Sequence, residues 1–235
     1  MPDNKKIFTG VIFARGNSQG IKNKNLLKFK KISLVEHAVK QAYQTKLMKK
    51  VYISSDSKKI IKAAIKQKAI VPFVRPKRLS SNISPEILSW RHFVNYLKDN
   101  KIKTDYVVSV PTTSPLRKVS DIKKCIQLAK KKNFDIIFTI TKASKNPFFN
   151  ILIKKKNKLK LFNENKNIFY RRQDAPRAYD LTTVCYVFKP SFILKNNNLF
   201  LGKVGYVEIP KERSIDIDDK FDYKLTKILY KNEKN

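Results

Sequence analysis

The chain has 235 residues, 42% of them hydrophobic and including 15 Phe and 10 Tyr, which is too apolar for a disordered chain and enough to bury a substantial core. Its 52 Lys and Arg against 18 Asp and Glu leave a formal net charge of +34, which draws nucleic acid, anionic membrane or any phosphorylated ligand. No apolar run approaches the ~20 residues of a membrane span, and the opening MPDNKK lacks the apolar core of a signal peptide, so a cytoplasmic protein without membrane insertion is expected.

The lysines are scattered through helices and turns and form no single block, and no RNP, KH, zinc-finger or helix-turn-helix signature accompanies them. A solvated surface bias therefore explains the charge better than a nucleic-acid groove, which the net charge alone keeps as a rival. Cys125 and Cys185 are two, far apart, and read as reduced core residues. His37 and His92 form no zinc pattern and read as packing or surface groups.

Taken in order, IFTGVIFA (7–14) is dense in β-formers and reads as a buried strand. It leads into FARGNSQGIKNKN (13–25), which fits neither the Walker loop nor the three-glycine dinucleotide pattern, yet is a polar loop at a strand tip, where α/β folds bind ligands. Asn17 stands where a third glycine could and tolerates positive φ. Ser33 is the expected N-cap of the helix LVEHAVKQAY. KVYISS (50–55) reads as a second strand, Asp56 as the cap of a helix through Gln67, and AIVPFV (69–74) as a third strand. Pro85 suits the first turn of a helix to about Lys98, DYVVSV (105–110) is a fourth strand before the loop PTTSPLR, Ser120 is the expected cap of the next helix, and FDIIFTIT is a fifth strand.

The rhythm changes near 142, where FFNILIKKKNKLKLF alternates two strands about a lysine-asparagine turn, followed by the charged YRRQDAPRAY. The strand TTVCYVF, a short helix at Pro190, the strand KVGYVEI, the acidic SIDIDDKFD and a last helix complete the chain. The expectation is one α/β domain over 1–235, a mostly parallel sheet flanked by helices, with an excursion at 142–181.

In the first loop, Arg15 offers a planar fork and Lys24 a point charge for phosphate oxygens, with Ser18 and Asn25 as neutral partners. Arg75 follows a strand and stands either at the same sheet edge or simply on the surface. Asp216 and Asp218 project to one side if their segment is extended, which suits Mg2+ shared with substrate phosphates; the alternative is a helix cap at Asp219 with lysine pairing.

ARGNSQGIKNKN, VYISSD, RPKRLSSN, TSPLR, RRQDAP and SIDIDDKFD together resemble, in order and over almost the whole chain, the motifs of the acylneuraminate cytidylyltransferases. This is the CMP-sialic acid synthetase family, which includes enzymes for bacterial nonulosonic acids. The resemblance implies a Rossmann-like nucleotidyltransferase fold, usually a homodimer joined through the insertion, that converts CTP and a sugar acid into a CMP-sugar and pyrophosphate. It implies that Arg15, Gly16, Ser18, Lys24 and Asn25 hold the triphosphate and nucleotide, that Arg75 and the loop to Ser84 line the cytosine pocket, and that Asp216 and Asp218 bind Mg2+. Candidates for the sugar acid are Thr113, Arg171, Gln173 and Thr182. Arg171, Arg172 and Arg177 are basic enough to meet its carboxylate and equally suited to surface or interface salt bridges.

Three departures from the family pattern involve four residues. Gln19 replaces a loop lysine, Pro111 stands where sialate-using members often carry glutamine, and Thr182 and Thr183 stand where many relatives have Asn-Gly. The last two lie on the sugar side, so the chemistry is better specified than the sugar.

Overall fold

The computed structural model describes residues 6–163 and 169–232. The first five residues of MPDNKK, residues 164–168 of the excursion and the last three residues after the final helix lie outside them. In chain order the elements are β1 (Phe8–Phe13), β2 (Lys28–Phe29), β3 (Ile32–Ser33), α1 (Leu34–Gln44), β4 (Val51–Ser54), α2 (Lys58–Ile65), α3 (Glu86–Asp99), β5 (Tyr106–Ser109), α4 (Val119–Lys131), β6 (Ile136–Lys142), β7 (Leu152–Lys155), β8 (Lys158–Leu161), β9 (Tyr179–Phe188), α5 (Pro190–Lys195), β10 (Val204–Glu208) and α6 (Lys220–Asn232).

Six strands form one sheet in the order β10-β6-β9-β5-β1-β4. β1 runs parallel to β4 and β5, and β10 parallel to β6, while β9 lies antiparallel between β5 and β6. The inner strands are buried on both faces, which explains why they read as continuous apolar runs instead of alternating ones. One face carries α1, α2 and α4 through Val35, Ala38, Ile60, Ala64, Ile122 and Ile126. The other carries α3 and α5 through Trp90, Phe93, Leu97, Phe192 and Ile193. This is the expected α/β architecture, a mostly parallel sheet between helices.

Ser33 caps α1 as expected, in a capping box with Glu36 whose carboxylate accepts the Ser33 N–H at 2.8 Å. Three expectations are corrected. Ser57, and not Asp56, caps α2, which ends at Ile65; the Asp56 carboxylate is turned back to the first loop. Ser120 lies inside α4, whose N-terminal residue is capped by Asp121 reaching back to the Lys118 N–H at 2.9 Å. AIVPFV makes only the isolated bridges of Ile70 with Tyr52 and Val74 with Ser55, since Pro72 interrupts the ladder between them.

Both cysteines are buried and free. His37 is buried and its Nε2 lies 3.0 Å from the Pro115 carbonyl, where burial lowers its pKa to about 4. The two strands of the excursion pair as a hairpin, β7 with β8, and Lys156 takes a left-handed φ of 54° at its turn.

Candidate active site

β1 and β5 lie side by side and parallel, so the loops after Phe13 and Ser109 leave the same edge of the sheet. The segment after Val74 joins them through the bridge to Ser55. These three stretches enclose a cleft of about 560 Å³. Arg15, Ser18, Gln19, Gly20, Lys24 and Asn25 form one wall, Arg75 and the segment through Ser84 to Glu86 and Ser89 form the wall opposite, and Pro111, Thr112, Thr113, Thr183 and Tyr186 close the end.

The first loop is held in its curl by its own polar groups. The Gly16 N–H donates to Asp56 at 2.8 Å, and the Asn25 amide donates to the Arg15 carbonyl at 2.8 Å while accepting from the Thr112 hydroxyl. Arg15 reaches across the cleft to the Ser81 carbonyl at 3.1 Å. Asn25 is therefore a brace whose amide is already engaged, and the Gly16 N–H is likewise taken. The left-handed position of this stretch is Asn23 at φ 56°, not Asn17.

Gly20 lies so close to the acidic segment that a Cβ there would stand 1.9 Å from the Asp218 carbonyl oxygen. That segment is fixed by the Ile217 N–H donating to the Thr113 carbonyl at 2.9 Å, and Ile217 is buried. Alternation about Ile217 brings Asp216 and Asp218 to the same side. Capping of α6 uses neither carboxylate: Asp219 accepts from the Asp222 N–H at 2.9 Å, and Asp222 accepts from the N–H groups of Asp218 and Asp219.

Asp218 is exposed to the cleft and pairs with Lys24 at 3.0 Å. Asp216 sits deeper, and burial raises its pKa, opposed first by the nearby Thr113 hydroxyl and reinforced by the charge of Asp218. Its Oδ1 is buried and accepts no hydrogen bond, a costly state for a carboxylate. Among the described residues no group of three or more His, Cys, Asp or Glu side chains is placed to hold a metal alone. An orphaned carboxylate oxygen beside a second carboxylate, at a cleft open to ligand, fits a hard cation that completes its shell with water and substrate oxygens.

Arg75 is 5% exposed and anchors the opposite wall, donating to the Ser54 hydroxyl at 3.1 Å, to the Ser54 carbonyl and to Ser89 at 3.4 Å. Burial lowers its pKa to about 10. Arg117, buried, holds the closing end by donating to Gln41 at 3.0 Å, to the Val184 carbonyl at 2.9 Å and to the Pro111 carbonyl.

A family model described as Cytidylyltransferase matches residues 9–234. The chain belongs to the cytidylyltransferase family. This cytidylyltransferase is 31% identical over 226 residues to the post-translational flagellin modification protein B of Campylobacter coli, covering 96% of this chain and 95% of that protein. It is 31% identical to the CMP-N,N'-diacetyllegionaminic acid synthase of Campylobacter jejuni, with 93% of each chain covered. The solved structure of CMP:2-keto-3-deoxy-manno-octonic acid synthetase complexed with CTP matches with a TM-score of 0.72 at 12% identity, covering 97% of this chain and 100% of that one. The family resemblance read from six motifs is borne out, and so is the α/β fold.

Of the site residues expected from sequence, the cytidylyltransferase brings Arg15, Ser18, Lys24, Asn25, Arg75, Ser84, Thr113 and Asp218 to one cleft, with Asp216 just behind Thr113. Gly16 lies beside the cleft, bonded to Asp56. Thr182 is turned away, buried and bonded to the Thr139 hydroxyl at 2.7 Å; its neighbour Thr183 faces the cleft and meets Ser114 at 2.7 Å. Arg171 and Gln173 stand on the excursion, exposed, with Arg171 paired to Asp174 at 2.9 Å; Arg172 donates to the Ala143 carbonyl. Sequence reasoning missed Thr183, Tyr186, Glu86, Arg117 and Asp56. Asp56 lay in the quoted motif VYISSD, and Glu86 directly follows the expected Pro85, so these two had a signal.

Proposed function

We propose that this cytidylyltransferase, in the cytoplasm, transfers CMP from CTP to the anomeric hydroxyl of a 2-keto-3-deoxy sugar acid of the sialic, legionaminic or pseudaminic type, releasing pyrophosphate and supplying surface glycan assembly. The observation that carries this reading is the meeting of the basic first loop with Asp216 and Asp218 across one cleft, Lys24 to Asp218 at 3.0 Å. The sugar class is supported by the relatives at 31% identity, which include a legionaminate-activating synthase, and by pseudaminic acid cytidylyltransferases at 26%.

In this reading Arg15 and Lys24 receive the triphosphate, Ser18 adds a neutral donor, and Asn25 keeps the loop curled. The sugar's anomeric oxygen attacks the α-phosphorus; the new O–P bond forms as the bond to the β-phosphate bridging oxygen breaks, that electron pair leaves with pyrophosphate, and the hydroxyl proton passes to solvent. Arg15 and Lys24 stabilise the charge that moves onto the leaving group. Asp216 and Asp218 are the residues that would hold Mg2+, which when bound supplies positive charge against the phosphate oxygens. Thr113, Thr183 and Tyr186 present hydroxyl groups at the sugar end, and the buried Pro111 carbonyl is occupied by Arg117.

The protein works in this reading as a homodimer. The excursion at 142–181 leaves Leu152, Leu159, Phe162 and Tyr170 exposed, and a second copy is the partner that would cover them and bring Arg171 and Gln173 toward a neighbouring cleft. The test is pyrophosphate release with CTP and Mg2+ across a panel of nine-carbon and eight-carbon sugar acids. CTP-dependent release is expected with a nine-carbon acid, falling at least ~10²-fold in Asp218→Ala. Release only with an eight-carbon acid would move the substrate class, and no release together with salt-sensitive RNA binding would sink the reading.

A further inference from the structure

One acidic side chain lining the cleft, Glu86, makes no hydrogen bond or ion pair with the first loop or with the acidic segment. Glu86 begins α3 on the wall opposite the first loop, and its Oε1 accepts from the Trp90 indole N–H at 3.1 Å. Trp90 is itself immobile: it is 2% exposed and stacked on Phe188 at 4.7 Å with 8° between the rings. The Glu86 carboxylate is thus fixed by a packed neighbour and keeps its other oxygen free, the arrangement of a group prepared for a ligand.

The chemistry of that wall narrows the ligand. The other carboxylate lining the cleft is Asp218, on the far side and tied to Lys24. Beside Glu86 the wall carries Ser81, Asn82, Ser84 and Leu79; burial raises the Glu86 pKa, opposed by the Trp90 N–H, Arg75 and Arg15 and reinforced by Asp216, and the guanidinium of Arg75 is itself bonded to Ser54 and Ser89. The Ser84 hydroxyl is buried without a partner. Phosphate oxygens and a sugar carboxylate are repelled by a carboxylate here, whereas an exocyclic amine is attracted. Cytosine and uracil differ at that atom: cytosine presents an N4 amine donor where uracil presents a carbonyl acceptor, and Glu pairs with the amine.

We propose that Glu86 is the specificity residue of the nucleotide site, accepting a hydrogen bond from the cytosine 4-amino group and rejecting UTP through the lone pairs of its 4-carbonyl. The inference rests on the CTP reading above and adds how the base is chosen. Ser84, on the same wall, supplies a neutral hydroxyl for the ring edge beside the amine.

Trp90 is the chain's one tryptophan, so its emission reports directly on a base arriving at Glu86. CTP and UTP are titrated with Mg2+ into the wild type, Glu86→Gln and Glu86→Ala, with no sugar acid needed. The expected result is a wild-type preference for CTP that falls ~10- to 100-fold in Glu86→Gln, where the amide can donate to uracil, while Glu86→Ala loses CTP affinity without gaining UTP. An unchanged CTP:UTP ratio in Glu86→Gln overturns the inference and leaves the CTP reading standing; a wild type that favours UTP or binds neither overturns the CTP reading itself. If Glu86→Gln fails to fold by thermal unfolding, Trp90→Phe with equilibrium dialysis of the two nucleotides replaces it. Freeing Glu86 from its indole is expected to cut the preference several-fold, and an unchanged ratio there also overturns the inference.

Discussion

The cleft and the excursion are built on opposite terms. Around the cleft most buried polar groups close among themselves, the Asp216 Oδ1 and the Ser84 hydroxyl excepted: Asn25 spans two loops, Arg75 donates to Ser54 and Ser89, Arg117 to Gln41 and two carbonyls, and Asp121, 0% exposed, receives Arg213 at 2.8 and 3.0 Å. Such networks fix one geometry, because every alternative strands a buried group. The hairpin of β7 and β8 shows the reverse, with Leu159 68% and Phe162 61% exposed beside Lys154, Lys155, Lys158 and Lys160. One region turns its side chains on one another; the other leaves apolar surface in solvent.

The largest effect is expected from breaking the closed region at its tightest point. Gly20→Ala drives a methyl group into the Asp218 carbonyl and forces the first loop off the acidic segment. A shift of about 1 Å in a positioned group costs ~10²-fold, so kcat/KM for pyrophosphate release should fall by that order, and retained activity would show that the two walls do not act together. A smaller effect tests the open region. Leu159→Lys with Phe162→Lys should leave stability within ~0.5 kcal/mol, since both side chains are already in water, while light scattering shows a shift from dimer toward monomer. A monomeric wild type would remove the reason for the exposed apolar face.

A third effect lies within the scaffold and, for activity near neutral pH, is the smallest. His37 has its pKa lowered to about 4 from 6.5, first by burial and then by Arg117. The folded protein therefore holds His37 neutral, the unfolded chain takes up the proton first, and stability present above pH 6.5 is lost as the pH falls toward 4. The loss is about 3 kcal/mol at pH 4, read from urea unfolding at several pH values, and His37→Gln should flatten that part of the profile.

Much of the fold was legible because its signals were local. The capping box at Ser33 and Glu36, the apolar run of β1 and the lysine-asparagine turn of the hairpin each fix structure within a few residues. What was not legible depended on partners distant in sequence. Asp56 looks like a helix cap until the first loop, folded against it, offers the Gly16 N–H. AIVPFV has a strand's composition, but Pro72 and its edge position leave two bridges instead of a ladder. At the sugar end, the place of Thr182 in the family pattern was its signal, yet Thr183 faces the cleft; β9 shifts register against β6 between Ile137 and Thr139, which a motif does not record. The acid pair was legible because Ile217 between the two aspartates is plainly a core residue.

The contact between Lys24 and Asp218 spans 194 positions of sequence. During synthesis the first loop emerges long before the acidic segment, so the growing chain carries one wall of the cleft well before the other exists. A translation product ending before Ile215 would contain all six strands of the sheet and the wall around Arg75, yet lack both carboxylates and the backbone that Gly20 packs against. Assembly of the cleft therefore waits until the acidic segment has been made.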